Sequence, residues 1–287
     1  VSRSSSSSSA PDGIVLVDKP AGESSRQAAA RVARSLGAAK FGHAGTLDPF
    51  ATGLLVVLLG RACRTQDWFT RLPKSYEATA RLGWVSTTGD PEGELRETGV
   101  LPEQPLRLTT GRILQRPPAF SAVHVDGRRA YELARAGEEL ELPEREVTIY
   151  EFLETEREGD RVGLRVSCSS GTYVRSLVSD LGDAYTTALT RTSVGPFTLD
   201  EADTGRVRSL AQALPFLPTV ELDGEEARRA GHGQALEPAA QLQPPAWIGP
   251  GEAPGEVLLV HEGDAVAIAR ETGETPGTLK PVVGFRG

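Results

Sequence analysis

The sequence predicts an α+β layer fold and not a doubly wound one. Strand-like runs at 14–18, 54–59, 75–82, 147–153 and 161–168 are mixed with helical stretches near 24–36 and 172–181, and no strict βαβ rhythm connects them. The first run is closed by Lys19-Pro20-Ala21-Gly22, a strand followed by a turn. Ser24 and Ser25 stand where helix N-caps stand, before an Ala/Val/Leu-rich stretch that ends at Leu36-Gly37, with glycine in its usual C-terminal place. Residues 54–59 are purely aliphatic and bounded by glycines, so they predict a strand buried on both faces.

Tyr76, Ala78, Ala80 and Leu82 alternate with polar or small residues, the period of a half-buried strand. In 172–181 the apolar residues Val174, Leu177, Val178 and Leu181 recur at helical spacing. Prolines at 215 and 218 mark 214–218 as a boundary. This divides the chain into a serine-rich tail at 1–10, a main unit at 11–217 and a small β-rich unit at 218–287. Within the last unit, 257–261 and 265–269 flank Glu262-Gly263-Asp264, a hairpin signal, and follow a Pro/Gly-rich loop at 243–255.

Composition narrows the function classes. The chain is 39% hydrophobic and 24% charged, and its longest aliphatic run is far short of the roughly 20 residues of a membrane helix. The tail lacks the apolar core of a signal peptide and predicts disorder. Cys63 and Cys168 form no CxxC pair, which argues against a zinc site or a disulfide framework and implies a reducing, cytoplasmic setting. A chain of 287 residues with no methionine, beginning on Val, is expected to lack some of its natural residues.

The net charge of −8 is unevenly spread. Residues 18–81 hold ten basic against five acidic side chains, whereas 218–287 hold five against eleven, so any phosphate-binding surface is expected in the N-terminal half. The same pattern is compatible with ordinary solvated charge.

The densest unusual segment is Gly42-His43-Ala44-Gly45-Thr46-Leu47-Asp48-Pro49-Phe50-Ala51-Thr52-Gly53. Three glycines and a proline around one carboxylate, directly before a buried strand, specify a stiff irregular backbone. An isolated Asp-Pro would read as a tight turn in which Asp48 bonds its own backbone. This segment, however, closely resembles the catalytic motif of the TruB family of pseudouridine synthases. Further blocks resemble the family in order: Val17-Asp18-Lys19-Pro20-Ala21-Gly22, Lys74-Ser75-Tyr76, Pro117-Pro118-Ala119-Phe120-Ser121-Ala122, Arg129-Ala130-Tyr131-Glu132-Leu133-Ala134-Arg135 and Cys168-Ser169-Ser170-Gly171-Thr172-Tyr173-Val174-Arg175. The resemblance covers about residues 12–200, and the C-terminal unit matches more loosely.

The resemblance implies a pseudouridine synthase fold, with a central mixed, mainly antiparallel sheet flanked by helices and loops. To this it adds a small β-rich RNA-binding domain of the PUA type, on the weaker matches Gly231-His232-Gly233-Gln234 and Leu279-Lys280-Pro281. The implied activity is conversion of the T-loop uridine of tRNA, position 55, to pseudouridine, with no cofactor and no metal. A monomer acting on the T arm is expected. Asp48 then matches the family's catalytic aspartate, either a nucleophile or a base. Tyr76 matches the aromatic stacked on the target uracil, and Arg175 with Tyr173 matches the pair reaching back to the catalytic centre. Leu189 walls the uracil pocket and could equally be core. His43 is expected to contact RNA. Lys19 and Lys74 are candidates for phosphate contact or loop positioning.

The family's pattern is shortened near 105–111 and 183–187, in the RNA-gripping part and on the approach to Leu189. Two other readings stay open: a guide-RNA-dependent synthase, which shares the aspartate motif, and an RNA-folding chaperone, in which binding is the main role.

Overall fold

A computed structural model describes residues 11–118, 142–251, 255–273, 275 and 277–285, with the backbone of two short strands at 124–125 and 128–129. The serine-rich tail, most of the 117–122 block and most of the 129–135 block lie outside the described residues.

The strands, in chain order, are β1 Gly13–Lys19, β2 Phe41–Ala44, β3 Thr52–Leu59, β4 Lys74–Leu82, β5 Trp84–Ser86, β6 Leu95–Glu97, β7 Gly111–Gln115, β8 His124–Val125, β9 Arg128–Arg129, β10 Arg145–Glu158, β11 Arg161–Cys168, β12 Ala184–Val194, β13 Phe197–Thr198, β14 Thr219–Glu221, β15 Glu256–His261, β16 Asp264–Glu271 and β17 Leu279–Gly284. The helices are α1 Ser25–Ser35, α2 Gln66–Arg71, α3 Val174–Ser179, α4 Leu210–Ala213 and α5 Gly224–Gly231. The main sheet runs β1-β3-β12-β4-β11-β10-β7, with β2 beside β3 and β13 beside β12. Its β12–β3 pairing is parallel and its other pairings are antiparallel. The result is the mixed, mainly antiparallel sheet of an α+β fold.

The aliphatic run is explained by its two faces. Leu54, Val56 and Leu58 enter one core cluster with Ile14, Leu16, Phe69 and Phe216. Leu55, Val57 and Leu59 enter another, with Val15, Val17 and the Ala28, Ala29, Val32 and Ala33 face of α1. A strand covered on both sides needs no polar alternation.

One edge of β3 is held along its length by β1. Its other edge is shared: β2 pairs with Val56–Leu59, and β12 pairs at Thr52 and Gly53. The chain leaving β2 at Ala44 must therefore pass over the end of β12 before re-entering β3, and this places residues 45–51 on the sheet. Gly53 is required at the junction. Its φ is +97°, and a Cβ there would lie 2.4 Å from the Arg191 carbonyl oxygen.

Strand β12 is absent from the elements that the sequence predicts. Its threonines and its central place, between β3 and β4, give no hydrophobic alternation that announces a strand. The helix expected over 172–181 is shorter, Val174–Ser179, and the strand expected over 147–153 is longer, Arg145–Glu158, with register shifts in its pairing to β11.

Residues 214–218 are not an exposed linker. Leu214, Phe216 and Leu217 are buried in the same cluster as Leu58 and Phe69 of the first part and Leu258, Ile268 and Phe285 of the last. The C-terminal residues also form a cluster of their own, in which the β14-β15-β16-β17 sheet packs against Ala227 and Ala230 of α5. Among the described residues no helix is long and apolar enough to cross a membrane.

Candidate active site

The loop between β2 and β3 carries Asp48, and its backbone is fixed at several points. The capping box of α1 is made by Ser24 with Gln27, which leaves the neighbouring Ser25 hydroxyl free to reach the loop. Ser25 Oγ donates to Leu47 O at 3.1 Å and accepts from Leu47 N at 2.8 Å. Gly22 N donates to Pro49 O at 2.7 Å, and Ala51 N donates to Asp48 O at 3.1 Å. Leu47 and Ala51 are buried on either side. The carboxylate thus projects from backbone held before and after it, and flexible motion of the loop as a unit is opposed by packing as well as hydrogen bonds.

Arg175, in the first turn of α3, meets that carboxylate edge-on. Its Nε lies 2.8 Å from Asp48 Oδ2, and Nη2 donates to Asp48 Oδ1 at 3.2 Å. The remaining amino group, Nη1, donates to Asp90 Oδ2 at 2.9 Å and to the Thr88 carbonyl at 2.6 Å. Asp90 Oδ1 in turn accepts from Thr88 Oγ1 at 2.5 Å and from Glu92 N at 3.0 Å. One guanidinium therefore bridges two carboxylates, with Nη2 on Asp48 and Nη1 on Asp90.

Burial pushes the Asp48 carboxyl above its ordinary value, the Arg175 charge pulls it down, and the Asp90 charge pushes it up again. The Asp48 side chain keeps 30% of its surface open, against 3% for Arg175. Water on that open side offsets part of the desolvation, and the guanidinium opposes the upward push of burial on a carboxyl that faces an opening.

Tyr76 on β4 packs in the cluster that contains Leu47, Ala51, Val174 and Leu189. Its phenol is pushed up to about 12 by burial, with the Arg191 charge and hydrogen bond opposing. It is therefore protonated in the working range. Leu189 lies in the same cluster, 7% exposed, on the strand paired to β4. Tyr173 is half-buried at the N-cap of α3. Gln115 clamps its backbone at both ends, with Tyr173 N to Oε1 at 2.7 Å and Nε2 to Tyr173 O at 3.0 Å. The Arg145 guanidinium stands 4.9 Å from its ring centroid. His43 sits on β2 at the loop's entrance, with Nε2 3.4 Å from Thr46 Oγ1.

Lys19 and Lys74 are not surface cations. Lys19 is fully buried, and its ammonium donates to the carbonyls of Pro20 at 2.8 Å, Glu23 at 2.7 Å and Pro49 at 3.3 Å. Lys74 donates to Thr70 O and Leu72 O, both at 2.5 Å. Of the two roles expected for them, loop positioning fits this geometry and phosphate contact does not.

Burial, reinforced by the Arg191 charge, lowers Lys74 to about 7. The unfolded chain therefore binds a proton at this residue between about pH 7 and the ordinary lysine value of 10.5, and the folded one does not. Folding stability gains from Lys74 as pH rises through that window. The melting temperature relative to a Lys74→Met variant is expected to climb from pH 7 to 9, and a flat difference in calorimetry would refute it.

Sequence reasoning missed Asp90, Ser25 and Arg191. Asp90 stands in Gly89-Asp90-Pro91, which reads as a turn. It is 4% exposed, and Arg175 reaches it from far along the chain. Among the described residues no group of His, Cys, Asp and Glu could hold a metal ion.

Residues 33–174 match the family described as TruB family pseudouridylate synthase (N terminal domain). The tRNA pseudouridine synthase B of Thermobifida fusca (strain YX) is 43% identical over 304 residues, covering 96% of this chain and 99% of that protein. The protein of the same name from Geobacillus thermodenitrificans (strain NG80-2) is 39% identical over 309 residues, covering 96% and 100%. Both alignments are longer than this 287-residue chain, so those relatives carry segments that it lacks. A chain from an H/ACA RNP bound to a substrate RNA containing 2′-deoxyuridine shares the fold, with a TM-score of 0.67 at 23% identity over 96% of this chain and 85% of that one.

Proposed function

This chain belongs to the TruB family of pseudouridylate synthases, and on that basis we propose that it isomerises the T-loop uridine at position 55 of tRNA, with Asp48 as the reacting carboxylate. It is an isomerase that turns uridine in tRNA into pseudouridine. The observation that carries the residue assignment is the Arg175–Asp48 contact, which holds a carboxyl that is still open on one side and near enough to the Tyr76 phenol to act on it.

The reaction breaks the bond from ribose C1′ to uracil N1, turns the base and forms a bond from C1′ to C5. The C5 proton leaves and N1 gains one, so nothing is oxidised and no co-reactant is consumed. A carboxylate can serve as a nucleophile or as a base at the sugar, and either role needs the anion that the Arg175 charge favours. Tyr76 supplies a flat wall for the detached uracil, and its phenol, protonated in the working range, can donate a hydrogen bond. Leu189 closes the apolar side. The target base has to leave its stack to reach this floor.

The C-terminal β unit is proposed to be a PUA-type RNA contact of modest strength, because its excess of acidic residues opposes phosphate. A monomer working on the T arm alone completes the reading. Release of tritium from a T-arm hairpin made with [5-³H]uridine, incubated with the purified chain and no guide RNA, is the test. One equivalent released at one position is expected. No release with the hairpin, but release once a guide is added, would refute the stand-alone reading.

A further inference from the structure

We infer that Arg191 is a positioning residue for the reaction, acting through the Tyr76 phenol and the backbone of the Asp48 loop. The inference rests on the assignment of Asp48 and Tyr76 to the site.

Arg191 lies at the junction where β12 meets both β3 and β4, paired to Gly53 on one side and to Tyr76 on the other. Its side chain is 1% exposed. Nε donates to Leu54 O at 2.7 Å, and Nη2 donates to Gly45 O at 3.0 Å, three residues before Asp48. Arg191 is the register partner of Tyr76 across β12 and β4, and its guanidinium lies close enough to the phenol for its charge to oppose the upward push of burial. It thereby ties together the entry to the catalytic loop, the strand that follows the loop, and the ring at the pocket wall.

The direction of this third contact matters. A guanidinium carries donors and no acceptor, so Tyr76 Oη can meet it only as an acceptor, and the phenol's own hydrogen is turned away from the cation. In the reaction assigned to the site, that leaves the hydrogen for an acceptor on the ribose or the turning base. Arg191 thus presents the phenol as a hydrogen-bond donor of fixed direction.

The charge itself is informative. Among the described residues no Asp or Glu pairs with Arg191, and Lys74, another buried basic group, is close enough for the Arg191 charge to help lower its pKa. A buried cation with only neutral partners is costly, and an apolar residue would satisfy packing alone at less cost. Gly45 fits the same picture. It has φ +78°, and a Cβ there would come within 3.3 Å of Arg191 Nη1, so the loop is shaped to let the guanidinium in.

The test is a double-mutant cycle read by single-turnover rate, RNA affinity and thermal melting, using Arg191→Lys, Arg191→Gln, Tyr76→Phe and the doubles. A compact ammonium cannot span the spread of the planar guanidinium from Leu54 O to Gly45 O and the Tyr76 phenol, so Arg191→Lys is expected to slow the chemical step by about 100-fold, the scale of a small misplacement, while RNA affinity stays within about three-fold. In the Tyr76→Phe background the same change should cost about ten-fold less than in the wild type, because the shared contact is already gone. Strictly multiplicative losses, or weakened RNA binding with an unchanged chemical step, would overturn the inference. Loss of the cooperative melt in both Arg191 variants would assign the residue to the fold and overturn it too. A wild-type rate for Tyr76→Phe alone would show that the phenol takes no part and would overturn the inference, whereas the parent reading, in which the ring is a wall that Phe keeps, fails separately if Asp48→Asn still turns over.

Discussion

Asp48→Asn is expected to lower the single-turnover rate of pseudouridine formation by roughly 10⁴-fold or more, the scale on which removal of an essential reacting group is felt. RNA affinity should be nearly unchanged, because the substitution keeps the shape of the loop and removes one negative charge from the pocket. The fold should not suffer. Burial raises the folded-state pKa of Asp48, so the ionised form costs the native state stability that appears as pH rises through that raised value. An uncharged amide avoids this cost, and Arg175 retains Asp90 as its partner. The variant is therefore expected to melt at pH 7 no lower than the wild type. A variant that melts normally, binds RNA and still turns over at near the native rate would remove Asp48 from its role.

Arg175→Met should have the second largest effect, and its signature is a displaced pH profile. The positive charge favours ionised Asp48, so its removal raises that carboxyl further, and the acid limb of the rate profile moves to higher pH. At neutral pH a rate loss of about 10²–10³-fold is expected from the lost positioning and electrostatics. Removing one partner of a buried ion pair also leaves Asp90, 5% exposed, with an uncompensated charge, at a cost of about 3–5 kcal/mol. Adding Asp90→Asn to Arg175→Met should restore much of the melting temperature without restoring the rate. If the double variant recovered activity together with stability, Arg175 would be a structural residue only.

How far the sequence reveals this site depends on how local each signal is. The stiff loop around Asp48 is legible because its glycines and proline lie within a dozen residues. The uninterrupted aliphatic run of β3 announces a strand covered on both faces. Tyr76 and Arg175 are legible only through resemblance, since a strand tyrosine and a first-turn arginine have no special pattern of their own.

Lys19 and Lys74 show the opposite case. Charge in a basic stretch suggests a phosphate-facing surface, and nothing local reveals that backbone carbonyls will close around both ammonium groups. The places of Asp90, Ser25 and Arg191 in the site depend on partners from distant segments. Strand β12 stays hidden for a related reason: its residues are selected by two neighbouring strands of opposite direction, which leaves no simple alternation to read.

The aromatic ring of Phe285 is buried in the cluster that β1 and β3 begin, and the carbonyls of Gly284 and Phe285 accept hydrogen bonds from Arg64 and Arg61, respectively. During synthesis β1 and β3 therefore emerge more than 224 residues before the side chain of Phe285 that packs against them. One face of that first layer must stay provisional, guarded by a chaperone or by loose collapse, until translation has passed the very residues that complete it.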